Sequence, residues 1–282
     1  MTNQWQQKVV VITGASSGIG EALAYGLARR GTQLIIGARR RDALEGVAAA
    51  CKKLGGEAVP VVTDVTRPTD CRRLIQAAVD RWGRLDVLIN NAGISMRALF
   101  IETSPEVLRK VMEVNFWGTV YCTHYAMEHL LKQKGTLVGI SSIAGFKGLP
   151  GRAAYSASKF AMNGLLETIR IETLHTGMHV LVCAPGFTAS NIRNVALTAS
   201  GAPQGETPLE ESKLMSPAEV AEATIRGIEK RRRYVILTMQ GKLTVWLNKC
   251  FPGLMDRLVF RHMLREKDSP LQRMKQWWHS MH

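Results

Sequence analysis

Tyr155-Ser156-Ala157-Ser158-Lys159 sets a phenol and an ammonium four residues apart in a segment patterned as a helix. Residues at that spacing share a helix face, so both heads reach one cleft. An ordinary tyrosine titrates near pH ~10. A neighbouring ammonium favours the phenolate and lowers that value. The pair then offers a proton donor and acceptor near neutrality, which carbonyl reduction or alcohol oxidation needs. Ser142 stands thirteen residues earlier, just past an apolar run, with a hydroxyl suited to hold a substrate oxygen beside the phenol. Asn115 lies in a long helical stretch before it, with a carboxamide suited to fix a water that relays protons to Lys159. A Tyr and a Lys four apart are, alone, far more often a surface pair. Position in the chain gives this pair its weight.

That position is set by a glycine turn near the start. Thr13-Gly14-Ala15-Ser16-Ser17-Gly18-Ile19-Gly20 follows an apolar run and opens a helix. Gly14 suits a tight turn, Gly18 a close backbone approach to a pyrophosphate, and Gly20 close packing of helix on strand. The helix start offers free N–H groups and its positive dipole end to phosphates. The context of strand, glycines and helix reads as dinucleotide binding. The second apolar run ends Ile36-Gly37-Ala38-Arg39-Arg40-Arg41. An NAD site usually carries an acid there to hold the ribose 2′-hydroxyl. Ala38 followed by arginines suits a 2′-phosphate instead, with Arg39 and Arg40 as charge-assisted donors and Ser16 adding a hydroxyl. The reading is NADP(H) over NAD(H); the bland alternative is a solvated charge run. Asp64-Val65 ends the third run, where the carboxylate suits the adenine amino group. Asn90-Asn91-Ala92-Gly93 ends the fourth, its small residues leaving room and its amides satisfying exposed backbone.

These motifs need a frame. Val9–Thr13, Leu34–Gly37, Ala58–Val62, Val87–Asn90, Leu137–Ser141, Val180–Cys183 and Tyr234–Thr238 read as strands. Gly20–Arg30, Asp42–Leu54, Asp70–Trp82, Pro105–Lys132, Ala153–His175 and Pro217–Lys230 read as helices between them. Pro105 and Pro217 each follow a serine, the pattern of an N-cap with proline at the first helical position. The alternation predicts right-handed crossovers and a doubly wound, Rossmann-type parallel α/β sheet of about seven strands in three layers. Ligands then sit at the carboxyl ends of the strands. Residues 1–240 form the dinucleotide-binding and catalytic unit, and 241–282 a helical extension.

Composition sets outer bounds. The chain has 282 residues, 46% apolar and 21% charged, within the range of globular proteins. Five widely spaced cysteines without a C-x-x-C form neither a disulfide framework nor a zinc site. No apolar run is long enough to cross a membrane or to form a secretory core, so the expected location is the cytoplasm. A net charge of +14 suits an anionic partner: a phosphorylated cofactor, an acidic lipid surface or nucleic acid. Lys230–Arg233 prompts the last of these. A helix end attracts cations anyway, and no recognition motif accompanies the run, so nucleic acid is set aside.

In this order, Thr13–Gly20, Asp64, Asn90–Gly93, Asn115, Ser142, Tyr155, Lys159 and Pro185-Gly186 make the chain resemble the short-chain dehydrogenase/reductase family over roughly 8–238. The resemblance implies that Tyr155 is the acid/base and that Lys159 holds the nicotinamide ribose and tunes Tyr155. It further implies that Ser142 orients the substrate, that Asn115 supports the relay, and that the Pro185-Gly186 turn with Thr188 contacts the carboxamide side of the ring. It supports NADP for an Ala38-Arg39 pair, and it implies a dimer or tetramer through the helices carrying Asn115 and Tyr155. No catalytic position is missing, which argues against a cofactor-binding protein without activity.

Two segments bear on substrate. The connection from Phe187 to Ser216 reads as a lid. Met96, Leu99, Phe100, Phe146, Leu149 and Pro150, then Phe187–Leu197, would line its mouth, with Arg97, Lys147, Arg152 and Arg193 nearby. They suit a lipophilic ketone or alcohol, with or without an acidic group, or they simply pack the lid. In the tail, Leu243, Trp246, Leu247 and Phe251, then Met255, Leu258, Val259 and Met263, fall at helical spacing among eight Lys and Arg and three acidic residues. Such basic amphipathic helices suit a membrane surface, or packing on the substrate loop or on a second subunit. The tail faintly resembles hydroxysteroid-dehydrogenase-like members of the family, which does not license a steroid substrate.

Overall fold

Val9–Thr13 (β1) is apolar from Val9 to Ile12 because it is buried on both faces. Val10 and Ile12 point into one core and Val9 and Val11 into another. Leu88 faces the second core while Val87 and Ile89 face the first. The computed structural model describes residues 4–189, 192, 195–205, 214–266 and 268–281. In chain order β1 is followed by α1 (Gly18–Ala28), β2 (Gln33–Ala38), α2 (Arg41–Lys53), β3 (Glu57–Val62), α3 (Pro68–Trp82) and β4 (Val87–Asn90). Next come α4 (Pro105–Met112), α5 (Gly118–Lys132), β5 (Thr136–Ile140), α6 (Ala153–Glu172), β6 (His179–Ala184), α7 (Pro217–Glu229) and β7 (Tyr234–Ile236). The tail is α8 (Met239–Cys250), α9 (Pro252–Leu264) and α10 (Pro270–Met281).

The strands form one seven-stranded sheet in the order β3-β2-β1-β4-β5-β6-β7, every pair parallel. Leu23, Leu27, Leu44, Val220 and Ile225 bring α1, α2 and α7 to one face. Leu74, Cys122, Leu130, Met162 and Leu166 bring α3, α5 and α6 to the other. This is the doubly wound, three-layer Rossmann-type fold. The winding reverses between β1 and β4, which opens a crevice at their carboxyl ends. Pro60 is tolerated because β3 is an edge strand.

Several boundaries differ from expectation. The stretch read as one helix, Pro105–Lys132, is two, joined by a wide π turn at Glu113–Trp117 that contains Asn115. Such turns widen a helix locally and re-aim a side chain. The strand read as Tyr234–Thr238 stops at Ile236, because Thr238 adopts φ +65 and its hydroxyl caps α8. Ser216 caps α7 as expected before Pro217, and Glu219 makes the cap reciprocal by accepting from the Ser216 amide. Ser104 makes no side-chain cap on α4, contrary to the serine–proline reading.

Candidate active site

The β1–α1 turn needs its glycines for two different reasons. Gly14 and Gly18 have φ +66 and +60, where a side chain is strained. Gly20 has ordinary backbone, but a Cβ there would lie 2.4 Å from the Gly14 carbonyl oxygen and 2.5 Å from Asn91 Nδ2. The β4 end is thus wedged against the turn. Asn91 Nδ2 donates to the Thr13 and Gly14 carbonyls at 2.9 and 3.2 Å, and the amides of Asn91 and Ala92 both donate to the Thr13 hydroxyl at 3.0 Å. Ser17 precedes α1 without a side-chain cap, so the first-turn N–H groups stay available beside Ser16, Ser17, Gly18 and Ile19, which border a cavity of ≈ 960 Å³. These glycines and donors fit a dinucleotide phosphate.

Farther along the wall, Arg39 and Arg40 are exposed at the β2 end. Arg40 Nη2 lies 3.3 Å from Ser16 Oγ and 3.4 Å from its carbonyl, so the sequence-predicted cation and hydroxyl are already adjacent. Asp64 turns one oxygen inward as a cap, accepting from the Thr66 amide at 3.0 Å and the Thr66 hydroxyl at 2.8 Å. The residue still borders the cavity with Val65, whose side chain packs on Gly118. Thr188 also borders it, held by a bridge to Met215 and a 3.1 Å bond from its hydroxyl to the Gly186 carbonyl.

Ser142, Tyr155 and Lys159 stand together on the same cavity. Ser142 leaves the β5 end, where its hydroxyl accepts from the Ala144 amide at 3.1 Å and opens a one-turn 3-10 helix. Burial holds the Tyr155 phenol above the ordinary tyrosine value, while a hydrogen bond with Ser142 and the Arg152 charge pull it down. The lowering expected from Lys159 is not found: burial raises the phenol, and the groups that oppose it are Ser142 and Arg152. Lys159 is itself buried, its ammonium 5.8 Å from the Tyr155 ring centroid, and burial lowers it to about 8. A charged group taken from water loses hydration that these few contacts replace only in part.

Asn115 is fully buried, and its carboxamide is committed. Its Oδ1 accepts from the Ile94 amide at 2.8 Å, and its Nδ2 donates to the Ile94 carbonyl and to Ser158 Oγ, both at 2.9 Å. It does not touch Lys159. A Cβ on Gly93, however, would lie 3.2 Å from Asn115 Oδ1 and 3.7 Å from Lys159 Nζ, so that glycine leaves a gap between them.

The tail closes the other end. Gln240, Leu243, Thr244 and Leu247 of α8 and Met255, Leu258, Val259 and Met263 of α9 border the cavity. Met96 and Leu197 pair beneath it and share a small core with Ala98, Val107 and Ala154. Leu149, Phe187 and Val195 reach the cavity as expected. Phe100 does not: it is 70% exposed. Lys147 is drawn away to an ion pair with Asp256 of α9, and Arg97 to one with Glu266 at 3.6 Å. Arg193 and Lys267 lie outside the described residues. Sequence reasoning named Thr13 and Gly93 as members of their motifs without these particular contacts, and it missed Gln240; the proximity of separate strands and helices singles out all three.

A model of the short chain dehydrogenase family matches residues 8–199. An 11-beta-hydroxysteroid dehydrogenase-like 4A of Arabidopsis thaliana is 42% identical over 251 residues, covering 88% of this chain and 82% of that protein. An 11-beta-hydroxysteroid dehydrogenase A of Arachis hypogaea is 40% identical over 258 residues, covering 88% and 73%. Among solved structures, a short chain dehydrogenase/reductase from Burkholderia phymatum in complex with NAD superposes with TM-score 0.79 at 26% identity, over 89% of this chain and 96% of that one. An alcohol dehydrogenase from the archaeon Thermococcus sibiricus, complexed with 5-hydroxy-NADP, gives TM-score 0.69 at 28% identity, over 82% and 94%. With its parallel sheet, its glycine turn and its Ser, Tyr and Lys on one cavity, this chain belongs to the short-chain dehydrogenase family of oxidoreductases.

Proposed function

We propose that the protein is an NADP(H)-dependent reductase or dehydrogenase acting on the carbonyl or hydroxyl of a lipophilic substrate. One observation carries the reading: Ser142, Tyr155 and Lys159 border a cavity that runs from the glycine turn to the apolar undersides of α8 and α9. The turn, Asp64, Val65, Asn91 and Thr188 would hold the dinucleotide, and Arg39 and Arg40 with Ser16 would hold a 2′-phosphate. Bound there, the nicotinamide supplies or accepts the hydride. Everything else falls to the protein. Ser142 holds the substrate oxygen. Tyr155, kept protonated by its buried setting, gives its proton to that oxygen in reduction and takes one in oxidation. Lys159 stabilises the phenolate that results. Asn115 keeps the Ile94 loop in place, and a water in the Gly93 gap would join its Oδ1 to Lys159 as a proton relay.

Titration with NADPH and with NADH, then turnover of a lipophilic ketone panel followed by nicotinamide absorbance, tests this. Tight NADPH binding and ketone-dependent oxidation are expected. Failure to bind either cofactor rejects the reading. Binding without turnover of any ketone or alcohol leads instead to a silent cofactor-binding protein. The names of the plant relatives place hydroxysteroids in the panel, without deciding for them.

Two partner readings have specific support. Trp117, Phe160 and Ile171, beside and along α5 and α6, are exposed, which favours a dimer or tetramer through those helices. Light scattering giving only monomer mass rejects it. Leu243, Trp246, Phe251, Leu254 and Phe260 are exposed on the tail among Lys242, Lys249, Arg257 and Arg261, which favours contact with an anionic membrane surface. No helix among the described residues is long and apolar enough to cross a membrane. Co-sedimentation with phosphatidylserine vesicles should disappear when 241–282 are deleted.

A further inference from the structure

One charge in the cavity wall reaches Tyr155 through its field but holds no group in the reaction described above. Arg152, immediately before α6, is 6% exposed and borders the cavity. Its main chain is fixed, with its N–H donating to the Leu149 carbonyl at 3.1 Å and a bridge to Ala98. Its side chain is not. Nε has no hydrogen-bond partner, and among the described residues the guanidinium forms no ion pair. The carboxylate whose field it feels, Glu266, lies 3.6 Å from Arg97, accepts a hydrogen bond at neither oxygen, and makes no hydrogen bond with Arg152. Arg152 thus brings a guanidinium with no bond at Nε to a wall it shares with Leu149, Met255, Val259 and Met263. The tail seals this corner: a Cβ on Gly151 would lie 3.2 Å from Pro270 Cγ.

A buried guanidinium without its own hydrogen-bonded anion is costly. That cost is removed when a ligand brings the anion. The planar fork of arginine matches a carboxylate through two parallel bonds. Arg152 also lies one helical turn before Tyr155, close enough for its charge to act on the phenol. An anion held there and a carbonyl held at Tyr155 would lie on the same cavity.

We propose that Arg152 anchors a carboxylate of the substrate, so that the substrate is a lipophilic oxo or hydroxy acid. Its carboxylate lies at Arg152, its reacting carbon at Tyr155 and its apolar body beneath α8 and α9. The proposal rests on the reductase reading for the reaction, but not for the binding.

Binding is therefore measured first. Calorimetry on the full chain with decanoate, and with decanol as the neutral control, should show decanoate binding that Arg152→Gln weakens ~10²-fold, the loss typical of a desolvated charge pair. Arg152→Lys, a point charge without the fork, should fall between. NADPH affinity and melting temperature report whether each variant is folded. Turnover then compares 4-oxodecanoate with its methyl ester. The wild type should prefer the acid ~10²-fold in kcat/KM, and Arg152→Gln should abolish that preference; a loss through the Tyr155 phenol falls equally on acid and ester, so the ratio is the readout. Decanoate binding that ignores the substitution, or an equal loss on acid and ester, overturns the proposal. Arg152-dependent decanoate binding without turnover of either ketone supports the anion site and counts against the reductase reading alone.

Discussion

Lys159 Nζ donates to the carbonyl of Ile140 at 2.8 Å, which fastens the ammonium to the last residue of β5. The bond stretches a helical side chain across to the sheet and leaves Lys159 with burial as the cause of its lowered titration, about 8 against an ordinary 10.5. Between those values the unfolded chain holds a proton at this site that the folded chain has released. Stability contributed by Lys159 therefore rises with pH across that window, by at most ~1.4 kcal/mol per unit.

The first prediction follows. The stability difference between wild type and Lys159→Met, from urea unfolding, should shift in favour of wild type as pH rises from 8 to 10.5. Reductive kcat/KM should decline over the same pH range as the ammonium is lost. A difference in stability that is flat with pH shows that Lys159 is not the buried cation described.

Tyr155→Phe should lower turnover ~10³-fold or more, the scale of losing a positioned acid and base, while NADPH affinity changes only a few-fold. The phenyl ring retains the packing of Tyr155 against its neighbours. Retained turnover removes the phenol from the chemistry.

Arg39→Ala should weaken NADPH ~10-fold or more and leave NADH nearly unchanged, because a charge-assisted bond to a 2′-phosphate exists for only one of them. Equal losses for both cofactors make Arg39 a solvated surface charge. Fluorescence titration of the reduced cofactors gives the comparison directly.

Gly20→Ala should destabilise the protein by ~1–3 kcal/mol and impair cofactor binding, since the new methyl meets the Gly14 carbonyl at 2.4 Å. Gly46 of α2 has nothing within 4 Å of its Cβ position. Gly46→Ala should therefore stabilise by ~0.5–1 kcal/mol through helix propensity. Thermal melts of the two variants moving in the same direction contradict this account of the turn.

The alternation of apolar runs and amphipathic stretches determined the order of the elements, because a strand buried on both faces and a helix buried on one leave different periods in the chain. The glycine turn, the Tyr155 and Lys159 spacing and the Ala38-Arg39 end of β2 are equally local, so they were legible before any fold was known. Other features depend on residues far apart. Asn115 reaches Ile94 and Ser158 from a π turn, and nothing in the residues around Glu113–Trp117 marks that turn. Gly93 matters because Asn115 and Lys159 converge on the space beside it. Phe100 and Arg97 were expected at the mouth on chain proximity, yet one faces solvent and the other pairs with Glu266, some 169 positions away. The tail was legible as amphipathic but not as a wall of the cavity, since periodicity shows that a helix has an apolar face and never what that face covers. Periods and caps are written in neighbours along the chain. Which wall Arg152 joins, and which charges it meets there, is decided only when the sheet and the tail close around it.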